Sequence, residues 1–332
     1  MDGFQTKTLV TRRSLRYTYY VSPSRDADRK HPALLFVHGF PDSAHLWSDV
    51  LAALADRPNK MIVPDCLGYA GTDKPIDTSL YAYDGQADDL ADILAAEGER
   101  EHETVIIGHD WGSALVQRTS LRHRALFRAV VLLNTGYMVP SAEPFDLQTV
   151  NALTEQAFGY PQFSYWELFT APDGASVIDS HLDRMWMVLH GDVDDWMRKM
   201  FCTPGAMRAF LLGSDDVPLR PYAQEPSRKD RFLAQFRADG FASALQMYKA
   251  TVENLQRPSD IALAAGNLAI DVPLLFVMCT QDAVCRPEVM SPAKAAGLVP
   301  LLQEVTIESA HWSPMEKPGE IATHIRAFVD NL

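Results

Sequence analysis

Cysteine is scarce. The 332 residues hold four, Cys66, Cys202, Cys279 and Cys285, and no two of them stand in CxxC spacing. That scatter argues against a zinc ribbon or a disulfide framework and fits reduced thiols in a cytoplasmic protein. Positive charge is also short: 30 Lys and Arg face 43 Asp and Glu, a formal net charge of −13. A chain so acidic is a poor partner for nucleic acid or an anionic membrane. No apolar run approaches the roughly 18 residues of a membrane span. The opening MDGFQTKTLV lacks a basic segment followed by an apolar one, so no secretory signal is expected. Internal repeats and low-complexity segments are missing as well. What remains is an ordinary globular composition, 47% apolar, long enough for one large α/β domain with a second lobe or an insertion.

The first third alternates strands and helices. Strand candidates are RYTYYV (16–21), ALLFVHG (33–39), KMIVPD (60–65), TVIIGH (104–109) and RAVVLLNT (128–135). The last four are short, continuous apolar runs, as expected for strands buried on both faces of a parallel sheet. Helical stretches such as AHLWSDVLAALAD and DGQADDLADILAAEG lie between them. The pattern returns with PLLFVMCT (273–280), LQEVTIES (302–309) and a closing helix, GEIATHIRAFVDNL. This alternation predicts a mostly parallel, doubly wound α/β sheet. The segment 140–262 lacks strand patterns and carries half of the methionines, with prolines at its edges and joints. We read it as a helical lid inserted into a core made of 1–139 and 263–332.

GHDWGS (108–113) lies between a strand and a helix. Glycines two residues to either side of Asp110 leave room for a sharp turn that would present its side chain at the strand's carboxyl end. The competing reading is that Asp110 simply caps the helix behind it. Three further strings tip the balance. His38-Gly39-Phe40-Pro41 follows one buried strand, Asp282 follows a late one, and His311 follows the last. Nucleophile, acid and histidine thus stand in the chain order of the Ser-hydrolase elbow proteins. The other position where an acid could stand, after RAVVLLNT, holds Asn134, which cannot be a carboxylate.

HGFPDSAHLW, PDCLGYAGTDKP, GHDWGSALVQR, TQDAVC and AHWSPMEKP together resemble the epoxide hydrolases of the α/β-hydrolase fold, most of all the soluble fungal type. They mark the branch with an Asp nucleophile, shared with haloalkane dehalogenases. The resemblance implies an Asp110–His311–Asp282 triad and an oxyanion hole from the backbone N–H groups of Phe40 and Trp111. It also implies that neither a metal nor an organic cofactor is needed. Ala70 stands where the family commonly has glycine, as do Ser309 and Ala310 before the histidine; neither change removes a functional group.

A carboxylate at this turn selects the chemistry. With an ordinary pKa of about 3.9 it is ionised at neutral pH without a base, and a helix N-terminus favours its charge. Attack on an acyl carbon would give an unstable anhydride. Attack on a saturated carbon bearing a leaving group gives an alkyl ester, which His311-activated water can hydrolyse at its carbonyl. An epoxide oxygen leaves as an alkoxide and needs an acid, and a neutral tyrosine can supply the proton. The family places two such tyrosines in the lid; the matching settings here are FGYPQFSYWELF and ALQMYKATVENL, giving Tyr165 and Tyr248. Tyr160 competes for the first role, and Gln246-Met247 departs from the usual residues before the second. Phe241, Leu245, Tyr248, Val252 and Leu255 are spaced to share one helical face.

A dehalogenase would aim side-chain N–H groups at a halide. Trp111 suits that role, but Phe40 has no donor to offer. His38, Pro41, Trp111, Trp166, Phe169, Met247 and Trp312 are expected to line the substrate pocket, with Met185, Met187 and Trp186 adding apolar surface. GDVDDW (191–196) looks like a metal loop, but a solvated helix start accounts for it. The expected partners are a small apolar epoxide and water, giving a vicinal diol; a homodimer stays open. A haloalkane dehalogenase, an epoxide-opening cyclase and a hydrolase-fold binding protein without turnover are the alternatives.

Overall fold

The computed structural model describes Met1, residues 3–23 and residues 30–332. The chain divides into two units, one of Met1–Asp73, Leu80–Ala142 and Gln256–Leu332, the other of Lys74–Ser79 and Glu143–Leu255.

The first unit is built on eight strands, β1 (Gln5–Val10), β2 (Arg16–Val21), β3 (Ala33–Val37), β4 (Met61–Pro64), β5 (Thr104–His109), β6 (Phe127–Leu133), β7 (Leu274–Cys279) and β8 (Leu302–Ile307). They form one sheet in the order β1-β2-β4-β3-β5-β6-β7-β8. The pairs β1–β2 and β2–β4 are antiparallel and all the others are parallel. Every residue of β3, β4 and β5 is buried, because helices cover both faces and leave an unbroken apolar run no solvent side. In β8 only Ile307 is buried, as befits the sheet's edge.

Three helices precede the insertion in this unit: α1 (Ser48–Ala53), α2 (Tyr83–Ala96) and α3 (Trp111–Arg122). The insertion contributes α4 (Leu147–Phe158), α5 (Trp166–Thr170), α6 (Gly174–Asp179), α7 (Leu182–His190), α8 (Trp196–Phe201), α9 (Ala206–Leu212), α10 (Pro226–Asp239) and α11 (Gln246–Val252). The sheet unit resumes with α12 (Arg257–Ala264), α13 (Ser291–Ala295), α14 (Ser313–Glu316) and α15 (Pro318–Asp330). No helix among the described residues is long and apolar enough to cross a membrane.

Crowding dictates the junction of β3, β5 and α3. A Cβ added at Gly112 would stand 2.2 Å from the Val37 carbonyl oxygen, and one at Gly108 would stand 2.5 Å from the Gly112 carbonyl oxygen. Both neighbours are backbone, so neither can step aside.

The insertion starts slightly later and ends earlier than 140–262. Asp260 of α12 accepts two bonds from the Arg118 guanidinium of α3, at 2.7 and 3.0 Å, and so fastens α12 to the sheet unit. Arg118 also donates to the Met138 carbonyl, while the Ser141 amide donates to Asp260. Arg257 closes the same junction by donating to the Ala142 carbonyl at 2.7 Å. Within the second unit, Asn254 and Phe145 exchange two hydrogen bonds, so that unit's long segment also begins and ends at one place. Lys74–Ser79 goes with it, because Thr78 donates to the Gln246 side chain at 2.8 Å and Lys74 pairs with Asp239.

Candidate active site

Five strand ends on the parallel side of the sheet supply the site. Phe40 follows β3, Asp110 ends the turn after β5, Asn134 follows β6, Asp282 follows β7 and His311 follows β8. Loops beyond the carboxyl ends of parallel strands are where this architecture gathers ligand-facing groups.

Asp110 adopts φ 55° and ψ −125° and makes no side-chain cap to α3. Its Oδ1 instead accepts the Phe40 amide at 2.7 Å, and the Trp111 amide also donates to the carboxylate. Gly39 has to be glycine here, since a Cβ would lie 2.4 Å from Asp110 Oδ1 and 2.7 Å from the Trp111 nitrogen. The second carboxylate oxygen, Oδ2, faces His311 Nε2 at 3.5 Å. The carboxylate is thus held by two amides, with Oδ1 on the Phe40 amide and Oδ2 directed at the imidazole.

His311 Nδ1 donates to Asp282 Oδ2 at 2.8 Å. The Asp282 side chain is fully buried, and it also accepts from the Val284 and Cys285 amides and from Asn134 Nδ2. Burial alone would raise its pKa, but the charge and hydrogen bond of His311, with the Cys285 amide and Asn134, hold it at about 2. Burial likewise would lower the His311 pKa; the Asp282 carboxylate and the Cys285 thiol outweigh it and keep the ring well above 6.5. For Asp110 burial dominates and raises the pKa, against His311 and the Trp111 and Phe40 amides. The helix N-terminus alone does not hold this carboxylate ionised; it relies on the facing imidazolium and two amides.

His38 is expected in the pocket wall, yet it is 1% exposed and both ring nitrogens serve the backbone. Cys66 N–H donates to Nε2, so Nδ1 carries the proton and donates to the Gly39 carbonyl at 2.9 Å. Burial pushes the ring down to about 4, so it stays neutral and fixes the loop that carries the Phe40 amide. Trp312 packs edge-on to His311, with ring centres 4.8 Å apart, and donates to Asp42 Oδ2. Burial is the main cause raising the Asp42 carboxyl to about 7; the Asp110 charge adds to it, while Trp312 and His311 act against it.

Three residues here were not singled out by sequence reasoning. Asn134, seen only as a missing carboxylate, bridges Asp282 to Ser313, whose hydroxyl donates to Asn134 Oδ1 at 2.8 Å. Asp42 lies in plain view in HGFPDS. Cys285, noted only among the scattered cysteines, places its Sγ within 4.8 Å of a His311 ring nitrogen.

The second unit gathers the tyrosines. Tyr165, just before α5, and Tyr248 in α11 meet edge to face, their ring centres 5.9 Å apart. Trp166 and Phe169 surround Tyr248 at 5.2 and 4.9 Å. Tyr160 is half-buried under the Arg198 guanidinium. The expected helical face is shorter than its spacing suggested: α11 covers only Gln246–Val252, and Phe241 and Leu255 flank it. Met247 is buried in the same helix. Met185 and Trp186 are core residues of this unit, Trp186 lying against His190 and Phe232. Asp195 stands at the start of α8 with the exposed Asp192 and Asp194 before it, a solvated helix start.

Sheet order and elbow define the α/β-hydrolase fold, and residues 32–176 match the alpha/beta hydrolase fold family. The chain is 27% identical over 292 residues to bifunctional epoxide hydrolase 2 of Rattus norvegicus, covering 87% of this chain and 50% of that protein. It therefore spans about half the length of that relative. It is 28% identical over 316 residues to epoxide hydrolase A of Mycobacterium tuberculosis, covering 91% of each. Among solved structures, an epoxide hydrolase from an endophytic Streptomyces superposes with a TM-score of 0.79 at 25% identity, over 100% of this chain and 96% of that one.

Proposed function

We infer that the protein opens an apolar epoxide through a covalent ester on Asp110 and hydrolyses that ester to a vicinal diol. The observation that carries this reading is the division of labour between the two oxygens of Asp110. Oδ1 accepts the Phe40 amide, the Trp111 amide also donates to the carboxylate, and Oδ2 faces His311. Oδ2 attacks an epoxide carbon, the C–O bond breaks, and the alkoxide takes a proton from Tyr165 or Tyr248. Asp110 is then a neutral ester. His311, no longer held protonated by a facing carboxylate, gives its resting proton to the tyrosinate or to solvent, then takes one from water as hydroxide adds to the ester carbonyl. The resulting oxyanion sits on the Phe40 and Trp111 amides, each such donor supplying roughly 3 kcal/mol. On collapse the departing alkoxide takes the carboxyl proton, which releases the diol and restores the Asp110 carboxylate facing a protonated His311. The epoxide hydrolases found among the relatives support the choice of leaving group.

The alternative keeps the same ester but begins from a haloalkane, with the Trp111 indole N–H near the departing halide. Intact mass of His311→Ala decides between them, because loss of the base traps the ester. Incubation with an aryl-substituted epoxide is expected to add the mass of the whole epoxide, and Asp110→Asn should add nothing. A gain seen only with a haloalkane, short by one hydrogen halide, would make the protein a dehalogenase. Tyr165→Phe combined with Tyr248→Phe is expected to slow ester formation from the epoxide by more than 100-fold with the fold intact. An active double variant would remove the tyrosines from the reaction.

A further inference from the structure

Around the carboxylate and imidazole lies a third group that the hydrolytic reading leaves idle. The Cys285 Sγ, a His311 ring nitrogen and an Asp110 carboxylate oxygen all lie within 4.8 Å of one another. They are the one set of three or more His, Cys, Asp and Glu side chains that converge in this way among the described residues. Each has its other side already engaged. His311 Nδ1 donates to Asp282, which leaves Nε2 facing the cluster. Asp110 Oδ1 is occupied by the Phe40 amide, which leaves Oδ2. The Thr135 hydroxyl donates to Cys285 Sγ at 3.1 Å, while burial raises the thiol to about 12, so its proton leaves only when a cation takes the sulfur.

That pattern is how proteins prepare metal ligands: an imidazole backed by a carboxylate, a thiolate accepting a hydrogen bond, and a carboxylate anchored through its other oxygen. We propose that Asp110 Oδ2, His311 Nε2 and Cys285 Sγ form a three-coordinate site for a borderline or soft divalent cation, Zn²⁺ or Cd²⁺, with water as the fourth ligand. The mix of sulfur, nitrogen and oxygen selects such ions over Mg²⁺ or Ca²⁺, which take oxygen ligands. Tetrahedral zinc with Zn–S of about 2.3 Å and Zn–N of about 2.0 Å needs ligand atoms roughly 3.5 Å apart. The His311–Asp110 separation of 3.5 Å already meets that, so only Cys285 has to draw in. On binding, the metal replaces two protons, one from the Cys285 thiol and one from His311 Nε2, and both leave to buffer. The ion then occupies both the attacking oxygen and the base nitrogen, so it inhibits, and a chelator restores turnover.

The test uses the intact 332-residue chain and needs no epoxide, so its outcome is independent of the proposed reaction. Cd²⁺ titration followed by the ultraviolet thiolate-to-cadmium charge-transfer band is expected to saturate at one ion per chain. Cys285→Ser should lose the band, and Asp110→Asn should bind Cd²⁺ at least tenfold more weakly, with circular dichroism verifying that each variant is folded. Should Cys285→Ser fail to fold, His311→Gln replaces it and is expected to weaken binding by the same factor or more. In a turnover assay, Zn²⁺ should inhibit the unmodified chain at least tenfold more strongly than Cys285→Ser, each normalised to its own rate without metal. Absence of the band, or a band and affinity unchanged in these variants, overturns the proposal.

Discussion

In the proposed reaction His311 has two incompatible tasks, balancing a carboxylate before ester formation and taking a proton from water after it. Its pKa stands well above 6.5 in the resting site because the charge and hydrogen bond of Asp282 outweigh the burial that would lower it. Conversion of Asp110 to a neutral ester removes one of the two carboxylates that face the ring, and the pKa then falls. Decay of the alkyl-enzyme should therefore drop about tenfold per unit on the acid side, while its formation holds until Asp110 itself takes a proton. Rapid-quench intact mass at several pH values reads the two rates apart, and parallel declines would count against the scheme. The stability terms have opposite signs. The raised His311 contributes fully below about 6.5 and loses that contribution as pH rises through its folded pKa. The depressed Asp282 contributes above its ordinary value of 3.8 and fades as pH falls towards about 2.

Asn134 acts on this pair without touching a reacting atom. Asn134→Ala removes one of the donors to Asp282 and leaves the two amides and His311 in place. A charge-assisted bond of this kind contributes about 1.5 kcal/mol, so ester hydrolysis should slow roughly tenfold. Ester formation should be nearly unchanged, and a single-turnover experiment separates the two. The positions of Asp110, Asp282 and His311 were legible in the sequence because each stands one to four residues beyond a strand-like run. Asn134 was half-legible: its strand was clear, but its partner lies 148 residues away and is met only when β6 and β7 pair. Asp42 and Cys285 carried no signal, since nothing local reveals that their loops converge on one imidazole.

Among the elements, the continuous apolar runs announced β3, β4, β5 and β6, because strands buried on both faces leave no alternation to find. The edge strand β1 escaped notice: its residues QTKTLV are mostly exposed and its strand character comes from pairing with β2. The elbow between β5 and α3 is the element least able to change. Gly112→Ala would drive a Cβ to 2.2 Å from the Val37 carbonyl and force β3 and α3 apart. A loss of at least about 2 kcal/mol is expected, measured as a shift of the denaturation midpoint. Ala70 holds φ 43° in the left-handed region, which gives a physical reason for glycine being common at its position.

Over the whole molecule, mammalian, bacterial, plant and fungal epoxide hydrolases all match at similar identity, so the likeness to the fungal type in particular stays an expectation. The junction at Arg118 and Asp260 matters more to the architecture than the surface charge does. Both side chains are largely buried, and removing one leaves the other unpaired. Arg118→Met is expected to cost about 3–5 kcal/mol by chemical denaturation, while Arg118→Met with Asp260→Leu should recover much of it.

The same junction has a bearing on descent. Ala142 and Arg257 touch, so everything strung between them is, to the sheet, a detour that returns to its starting point. A detour of that kind can lengthen, shorten or be exchanged for another without dislodging any of the five strand ends. Natural selection could therefore try new substrates by rewriting one stretch of chain while the hydrolytic apparatus stayed put, and a chimaera that swaps the stretch between relatives would follow the same route.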